Sequence, residues 1–232
     1  MLIKNNMVVL PFFVFILVFL ILFMMYTNKK NRYQVVVAKY NEDVSWTKRF
    51  FNVKVYDKSN GDLPNIGRES HTYLTYIVEN YHRLPQVVFF TQGDISDHVK
   101  EKTNFINLGE NKFSQNYATL ESNYYFYSEN LGYDKDHIYD YRNSILFPKD
   151  ELGYRNWFKE YVDVDGTYPE IEDGVTLWWG AVFSVRRECI LSRPKEYYKR
   201  LLDYIPKTNN PEVGHYFERS WFYIFNCHLD SK

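Results

Sequence analysis

An apolar run from Met7 to Tyr26, uninterrupted by any charge, opens the chain. At 1.5 Å rise per residue a helix of that length covers about 30 Å, the depth of a bilayer's hydrocarbon layer. Phe23, Met24, Met25 and Tyr26 lead straight into Thr27-Asn28-Lys29-Lys30, without the small residues of a cleavage site. The pattern therefore predicts an uncleaved single-pass anchor over 7–26 behind a flank of residues 1–6. Residues 27–32 form a polar linker, and one domain follows over 33–232.

Beyond the linker the periodicity changes. Gln34-Val35-Val36-Val37-Ala38 is a continuous β-branched run of the kind buried on both faces of a parallel sheet, and it predicts a central strand. Phe51 to Tyr56 predicts a second strand, closed by the turn residues Asp57 to Asp62. From Glu69 to Tyr81 the apolar set Leu74, Ile77, Val78, Tyr81 recurs at helical spacing until Leu84-Pro85 stops it. Gln86 to Thr91 predicts a third strand, so strand, helix and strand follow one another as in an α/β unit with a crossover. Residues 99–174 show no clear period. Order returns with a strand at Val182 to Val185, a helix opened by Ser192 and Pro194 whose stripe is Tyr197, Tyr198, Leu201, Leu202 and Ile205, and a last amphipathic helix from about His215 to Phe225.

Composition narrows the function classes. The chain carries 28 basic and 29 acidic residues, a net charge of −1, and no basic stripe, which excludes the electrostatic footprint of a nucleic-acid binder. Its 22 tyrosines and 18 phenylalanines suit carbohydrate grooves, and they equally suit an aromatic core. Cys189 and Cys227 lack metal-ligand spacing; they read as buried free thiols, with one bridge in an oxidising lumen as the alternative. Lys4 precedes the anchor and Lys29, Lys30 and Arg32 follow it. The positive-inside rule thus favours a cytosolic body, while the side, in a Golgi- or ER-type membrane or a viral or host one, stays open.

Several clusters could carry chemistry. The carboxyl end of the first strand delivers Asn41 and Glu42, where open α/β sheets bind ligands. Gly67-Arg68-Glu69-Ser70-His71 stands at a helix start, where free N–H groups and the helix dipole favour a diphosphate; the alternative is an ordinary start capped by Asn65 or Ser70 with Arg68 paired to a surface carboxylate. Gln92-Gly93-Asp94, with Asp97 and His98, can hold a divalent ion or form a capped turn. Asp163-Val164-Asp165-Gly166 spells Asp-x-Asp but reads as an acidic turn. Trp178-Trp179-Gly180-Ala181 can lay a sugar ring on indole and backbone, or simply precede a buried strand. Glu218 shares a helical face with Trp221, Phe222 and Phe225, so burial should raise its pKa toward that of a general base; otherwise it needs a basic partner. His228 follows as a candidate metal ligand.

The segments AKYNEDVSW (38–46), NIGRESHTYL (65–74), FFTQGDISDH (89–98), WWGAVFSVRRECILSRP (178–194) and ERSW (218–221) resemble, block by block and in order, an uncharacterised domain family of fungi, bacteria and large DNA viruses. That architecture in turn resembles the GT-A glycosyltransferases. The resemblance implies an α/β fold with a mixed sheet flanked by helices. It also implies a metal motif at Asp94, joined by His98 and a late His228, a glycine loop at Gly180 and an acidic catalytic residue at Glu218. Here Gln92-Gly93-Asp94 stands where such enzymes carry Asp-x-Asp.

Together these readings lead to the expectation of a membrane-anchored glycosyltransferase moving a sugar from a nucleotide-sugar donor to a hydroxyl of a glycan or protein, assisted by Mn²⁺ or Mg²⁺. Asn41, Glu42, Arg68, Glu69, His71 and Gln92 would bind the donor, with Arg68 on its diphosphate. Trp178, Trp179, Gly180 and Ala181 would shape the acceptor side, Asp94, His98 and His228 would hold the ion, and Glu218 would deprotonate the acceptor. Two rivals keep the fold: a non-catalytic glycan- or protein-binding module on a stalk, and a metal-assisted hydrolase using Asp94, His98 and His71.

Overall fold

A computed structural model describes residues 14–21, 32–95, 125–126, 150–168, 176–177 and 181–225. Strands β1 (Tyr33–Lys39), β2 (Val53–Asp57) and β3 (Val87–Gln92) are parallel, and β6 (Phe183–Arg186) runs antiparallel beside β3, giving the order β2-β1-β3-β6. The β-branched run predicted as a central strand is central: Val35, Val36 and Val37 are fully buried, as a strand covered on both faces requires. Strand β2 lies at the edge and alternates, with Lys54 exposed, a charge that discourages pairing with another chain. A second, two-stranded sheet pairs β4 (Tyr125–Phe126) with β5 (Thr176–Leu177).

The two faces of the main sheet follow the strand period of two. Val36, Ala38, Val88 and Phe90 face the larger core, while Val35, Val37, Val87 and Phe89 face a smaller one closed by Trp46 of the 3-10 turn Ser45–Arg49 and by Phe50 just after it. The larger core is covered by the Arg68–Asn80 helix, the Lys195–Tyr204 helix and the Glu212–Phe225 helix. The last of these begins three residues before the predicted His215, because Pro211 ends the preceding turn and accepts from the Gly214 N–H at 3.0 Å. Its described side chains are buried nearly all round rather than on one face; among them Glu218 and Arg219 are the half-buried exceptions.

Aromatic abundance is spent here. Phe217, Trp221 and Phe225 stack at i, i+4 spacing (5.5 and 5.7 Å between centroids) and continue into Phe90 and Phe183. Trp157 meets Phe217 edge-on at 5.0 Å. Tyr154, Trp157, Phe158 and Val162 come from the segment without a readable period, where the helix Gly153–Trp157 passes into a π-turn, Phe158–Val162. Five-residue elements are too short to display a period, so sequence pattern missed this part of the core.

Cys189 is disulfide-bonded, which overturns its reading as a free thiol; Cys227 lies outside the described residues. Among the described residues no helix is long and apolar enough to cross a membrane. Of the predicted anchor only 14–21 is described, and it is helical with every side chain exposed.

Candidate functional site

The carboxyl ends of β1, β2 and β3 lie side by side, since Ala38 registers with Tyr56 on one flank and Gln92 on the other. That edge collects Lys39, Asn41, Glu42, Asp57, Lys58, Gln92, Gly93 and Asp94, and the Arg68 helix begins there too. The link is Lys58. Its ammonium, buried beyond the end of β2, donates to the carbonyls of Ile66 (2.8 Å) and Arg68. Lys39 pairs with Asp57 across the strand ends. That bond and the Ser59 hydroxyl hold the Asp57 carboxyl below its usual range.

Beyond β1 the chain turns on Asn41, whose φ of 71° is one of the few left-handed conformations a side-chain-bearing residue tolerates. The Tyr40 N–H donates to the Glu42 carboxylate. Gly93, held by its N–H on the Ala38 carbonyl (2.8 Å) and its carbonyl on the Trp46 indole (3.0 Å), lies against Glu42. A Cβ at Gly93 would stand 2.7 Å from Glu42 Oε2. Glycine is therefore what lets the Glu42 carboxylate sit one residue from the exposed Asp94. Two hard oxygen donors at neighbouring strand ends suit Mg²⁺ or Mn²⁺, and such an ion would neutralise a bound diphosphate. Among the described residues no three of His, Cys, Asp and Glu gather to hold a metal; His98 and His228 lie outside them.

The Arg68 helix starts differently from the anion cradle expected. Gly67 and Arg68 are both left-handed (φ 60° and 51°), and their N–H groups already donate to the carbonyls of Thr208 (2.8 Å) and Asn209 (3.1 Å). The Arg68 guanidinium is engaged as well. Its Nη2 is 3.0 Å from Glu218 Oε1, its Nε 3.5 Å from Glu69 Oε2, and its Nη1 3.1 Å from the His215 ring nitrogens. The anion that Arg68 faces is the Glu218 carboxylate. Gly214 gives the arginine room, since a Cβ there would meet Arg68 Cδ at 3.1 Å.

This pairing reverses the expectation for Glu218. Burial pushes its pKa up, but Arg68, the His215 hydrogen bond and Arg219 together pull harder, and the carboxyl is held well below the usual range. An ionised carboxylate so stabilised is a poor proton acceptor, and the alternative reading, a buried acid that needs a basic partner, describes it. Glu69 goes the other way: desolvation raises it to about 7 despite Arg68, with Glu218 adding to the rise. Its Oε1 is buried with no hydrogen-bond partner among the described residues. Burial lowers His71 to about 4 with the help of Lys58, lowers His215 despite Glu218, and lowers Lys58 to about 8 despite Glu69. Near neutrality the cluster thus holds neutral imidazoles, an ionised Glu218, three cations at Lys58, Arg68 and Arg219, and a carboxyl, Glu69, that is half protonated.

The other predicted residues divide. Asn41 is exposed, and Glu42 and Gln92 are half-buried at the strand ends. Ala181 is fully buried and its carbonyl accepts from the Tyr73 hydroxyl at 2.6 Å, so its side chain touches core and not acceptor; Trp178, Trp179 and Gly180 lie outside the described residues. Asp163 and Asp165 are elsewhere, and they are structural: Asp163 accepts from the N–H groups of Thr167 and Tyr168, and Asp165 pairs with the buried Arg193. Lys58, Asp57 and His215 were missed. The rule that singled out the ends of β1 and β3, applied to the end of β2, points to Asp57-Lys58, which had read as turn chemistry; His215 had no such signal, because its role depends on Arg68 arriving from 147 residues away.

Gly67 offers a direct check on this geometry. A Cβ at Gly67 would overlap Ile205 and meet His71 Cβ at 3.2 Å, in a backbone that side chains resist, whereas Gly61 (φ 82°) has nothing within 4 Å. Gly61→Ala is expected to lose about 1 kcal/mol from backbone strain alone, and Gly67→Ala about 2–3 kcal/mol once crowding is added, read from urea unfolding midpoints.

Three parallel strands with helices packed on them and an antiparallel fourth strand define a mixed α/β protein, and its charged cluster lies at the carboxyl ends of the parallel strands. The chain belongs to the family described as "Protein of unknown function (DUF3431)", which it matches over residues 35–230. No curated protein and no solved structure matches it.

Proposed function

We propose that the chain is a membrane-anchored transferase of GT-A type that moves a sugar from a nucleotide-linked donor to a hydroxyl acceptor on a glycan or protein. The observation that carries this reading is the convergence of three strand ends and the Arg68 helix on one edge, where Lys39, Lys58 and Arg68 stand near Glu42, which packs on Gly93, and the exposed Asp94. Asn41, Glu42 and Gln92 line the donor side. Lys58 and Arg68 are bound within the protein, so their charge would act on a diphosphate through space and not by a direct hydrogen bond, and Glu42 with Asp94 would hold the divalent ion that neutralises it. Glu218 orients Arg68 and is not the base. A left-handed Arg68, held by the Lys58 ammonium on its carbonyl and Asn209 on its N–H, is backbone strain of the kind that collects at functional sites.

Calorimetry with nucleoside diphosphates and their sugar conjugates tests the reading. Binding is expected, strengthened by Mn²⁺, with the metal increment lost in Asp94→Asn, a change at an exposed position. One observation favours the rival binding module: Arg68 and the first N–H groups of its helix are satisfied within the protein. That rival predicts heat from oligosaccharides, none from nucleotides and no response to Mn²⁺.

A further inference from the structure

We infer that the α/β body resides in an oxidising compartment, with residues 7–26 crossing the membrane that bounds it and the amino terminus on the opposite, reducing side. The inference rests on the anchor and is independent of sugar transfer. Its first support is residues 14–21, Val14 to Ile21, a helical stretch without a polar side chain in which every residue is exposed, from 38% for Ile16 to 70% for Phe15. Large apolar side chains exposed over a continuous helical face are unfavourable in water and call for an apolar surrounding. The surrounding run of 7–26 has the length of a bilayer crossing, about 30 Å as a helix, so lipid is the partner that its chemistry and length fit.

The second support is the disulfide at Cys189. The chain has two cysteines, Cys189 and Cys227. The Ser192 hydroxyl lies 2.7 Å from the Cys189 carbonyl and 3.3 Å from that of Phe225, so the end of the last helix closes on the Arg187–Leu191 helix two residues before Cys227. Forming this bond takes two protons and two electrons from the thiols, which pass by exchange to a disulfide-bearing oxidant. Such bonds persist in lumenal, periplasmic or extracellular spaces and are rare where glutathione and thioredoxin keep thiols reduced. Both cysteines follow the anchor in sequence, so the whole body must lie on the oxidising side. Charge pulls the other way only weakly: Lys4 and the amino terminus stand against Lys29, Lys30 and Arg32, a difference of one. A bias that small sets orientation by degree, whereas a reducing compartment removes the bridge.

The test uses the full chain, carrying a carboxyl-terminal tag, in sealed membrane vesicles. The protein is expected to stay in the pellet after alkaline carbonate washing, and the tagged body to resist added protease until detergent opens the vesicles. A maleimide-polyethylene-glycol reagent is expected to shift the denatured protein only after reduction, and then by two adducts. In Cys189→Ser one adduct should form without reduction. Digestion of the body in sealed vesicles, or two adducts on the unreduced wild type, overturns the inference; release into the carbonate supernatant overturns its anchoring half. Nucleotide binding enters none of these readings, so failure here leaves the transferase proposal standing, and failure of nucleotide binding leaves the topology standing.

Discussion

Arg68→Ala is expected to lower the stability of the body by about 3–5 kcal/mol, the cost of leaving a buried charge without its partner. Arg68 is the one cation in direct contact with both Glu69 and Glu218 among the described residues, and it spans them from the start of one helix to the middle of another. Its own guanidinium is partly desolvated, a penalty outweighed by Glu218 and then Glu69, so the arginine stays charged. Removing it leaves Glu218 with a neutral His215 at 3.4 Å and Arg219 at 3.8 Å. Urea unfolding at neutral pH reads the loss. Arg68→Lys should recover little, because a single ammonium cannot reproduce a fork that reaches two carboxylates and an imidazole at once. The double replacement Arg68→Ala with Glu218→Ala should be less damaging than the sum of its parts by about 1–3 kcal/mol, the coupling expected of groups in one network. An additive result would show that the pair is not coupled.

Glu69→Gln is expected to change how stability responds to pH. In the unfolded chain Glu69 titrates at its ordinary value of 4.5, and in the folded protein burial raises it to about 7. Between those values the native state keeps a proton that the unfolded state releases. The contribution is therefore fully present below pH 4.5 and is lost as pH rises through 7, by up to about 3 kcal/mol. The sign is opposite for Glu218, whose depressed pKa makes its contribution disappear on acidification below 4.5. His71, lowered to about 4, also favours the folded state as pH rises from about 4 to 6.5, which partly masks Glu69 in the wild-type profile. Comparison with Glu69→Gln cancels His71 and isolates the carboxyl: relative to wild type, the variant should gain stability steadily from pH 4.5 to 7 and no further above it. Parallel profiles over that window would mean that Glu69 ionises in the folded state as it does in water.

These two residues show how far a linear reading reaches. Arg68, Glu69 and Glu218 were all singled out, since unusual groups at a helix start and a carboxylate among aromatics are visible in order of sequence. Their roles came out rearranged. Glu218 on a face with Trp221 reads as a base raised by burial, and only the arrival of Arg68 turns the shift downward. Glu69 read as a ligand for the donor, yet it is the carboxyl that holds a proton near neutrality. Asp163-x-Asp165 reads as an acidic turn, and the structure has that turn, with Asp165 paired to Arg193.

Strands β1, β2, β3 and β6 and the three long helices were legible because each is a local pattern: a run of β-branched and aromatic residues, or apolar residues at helical spacing beside a proline. Burial of those stripes is settled by composition wherever the chain places them. Strand order, the shared edge of Lys39, Lys58, Gln92 and the Arg68 helix, the bond at Cys189 and the aromatic core contributed by Tyr154 to Val162 were decided by contacts between residues far apart in sequence. The physical reason is that desolvation and Coulomb interaction depend on distance in space, so the sign of the Glu218 shift was set by Arg68, which meets it from another helix, and not by the aromatic residues beside it in sequence.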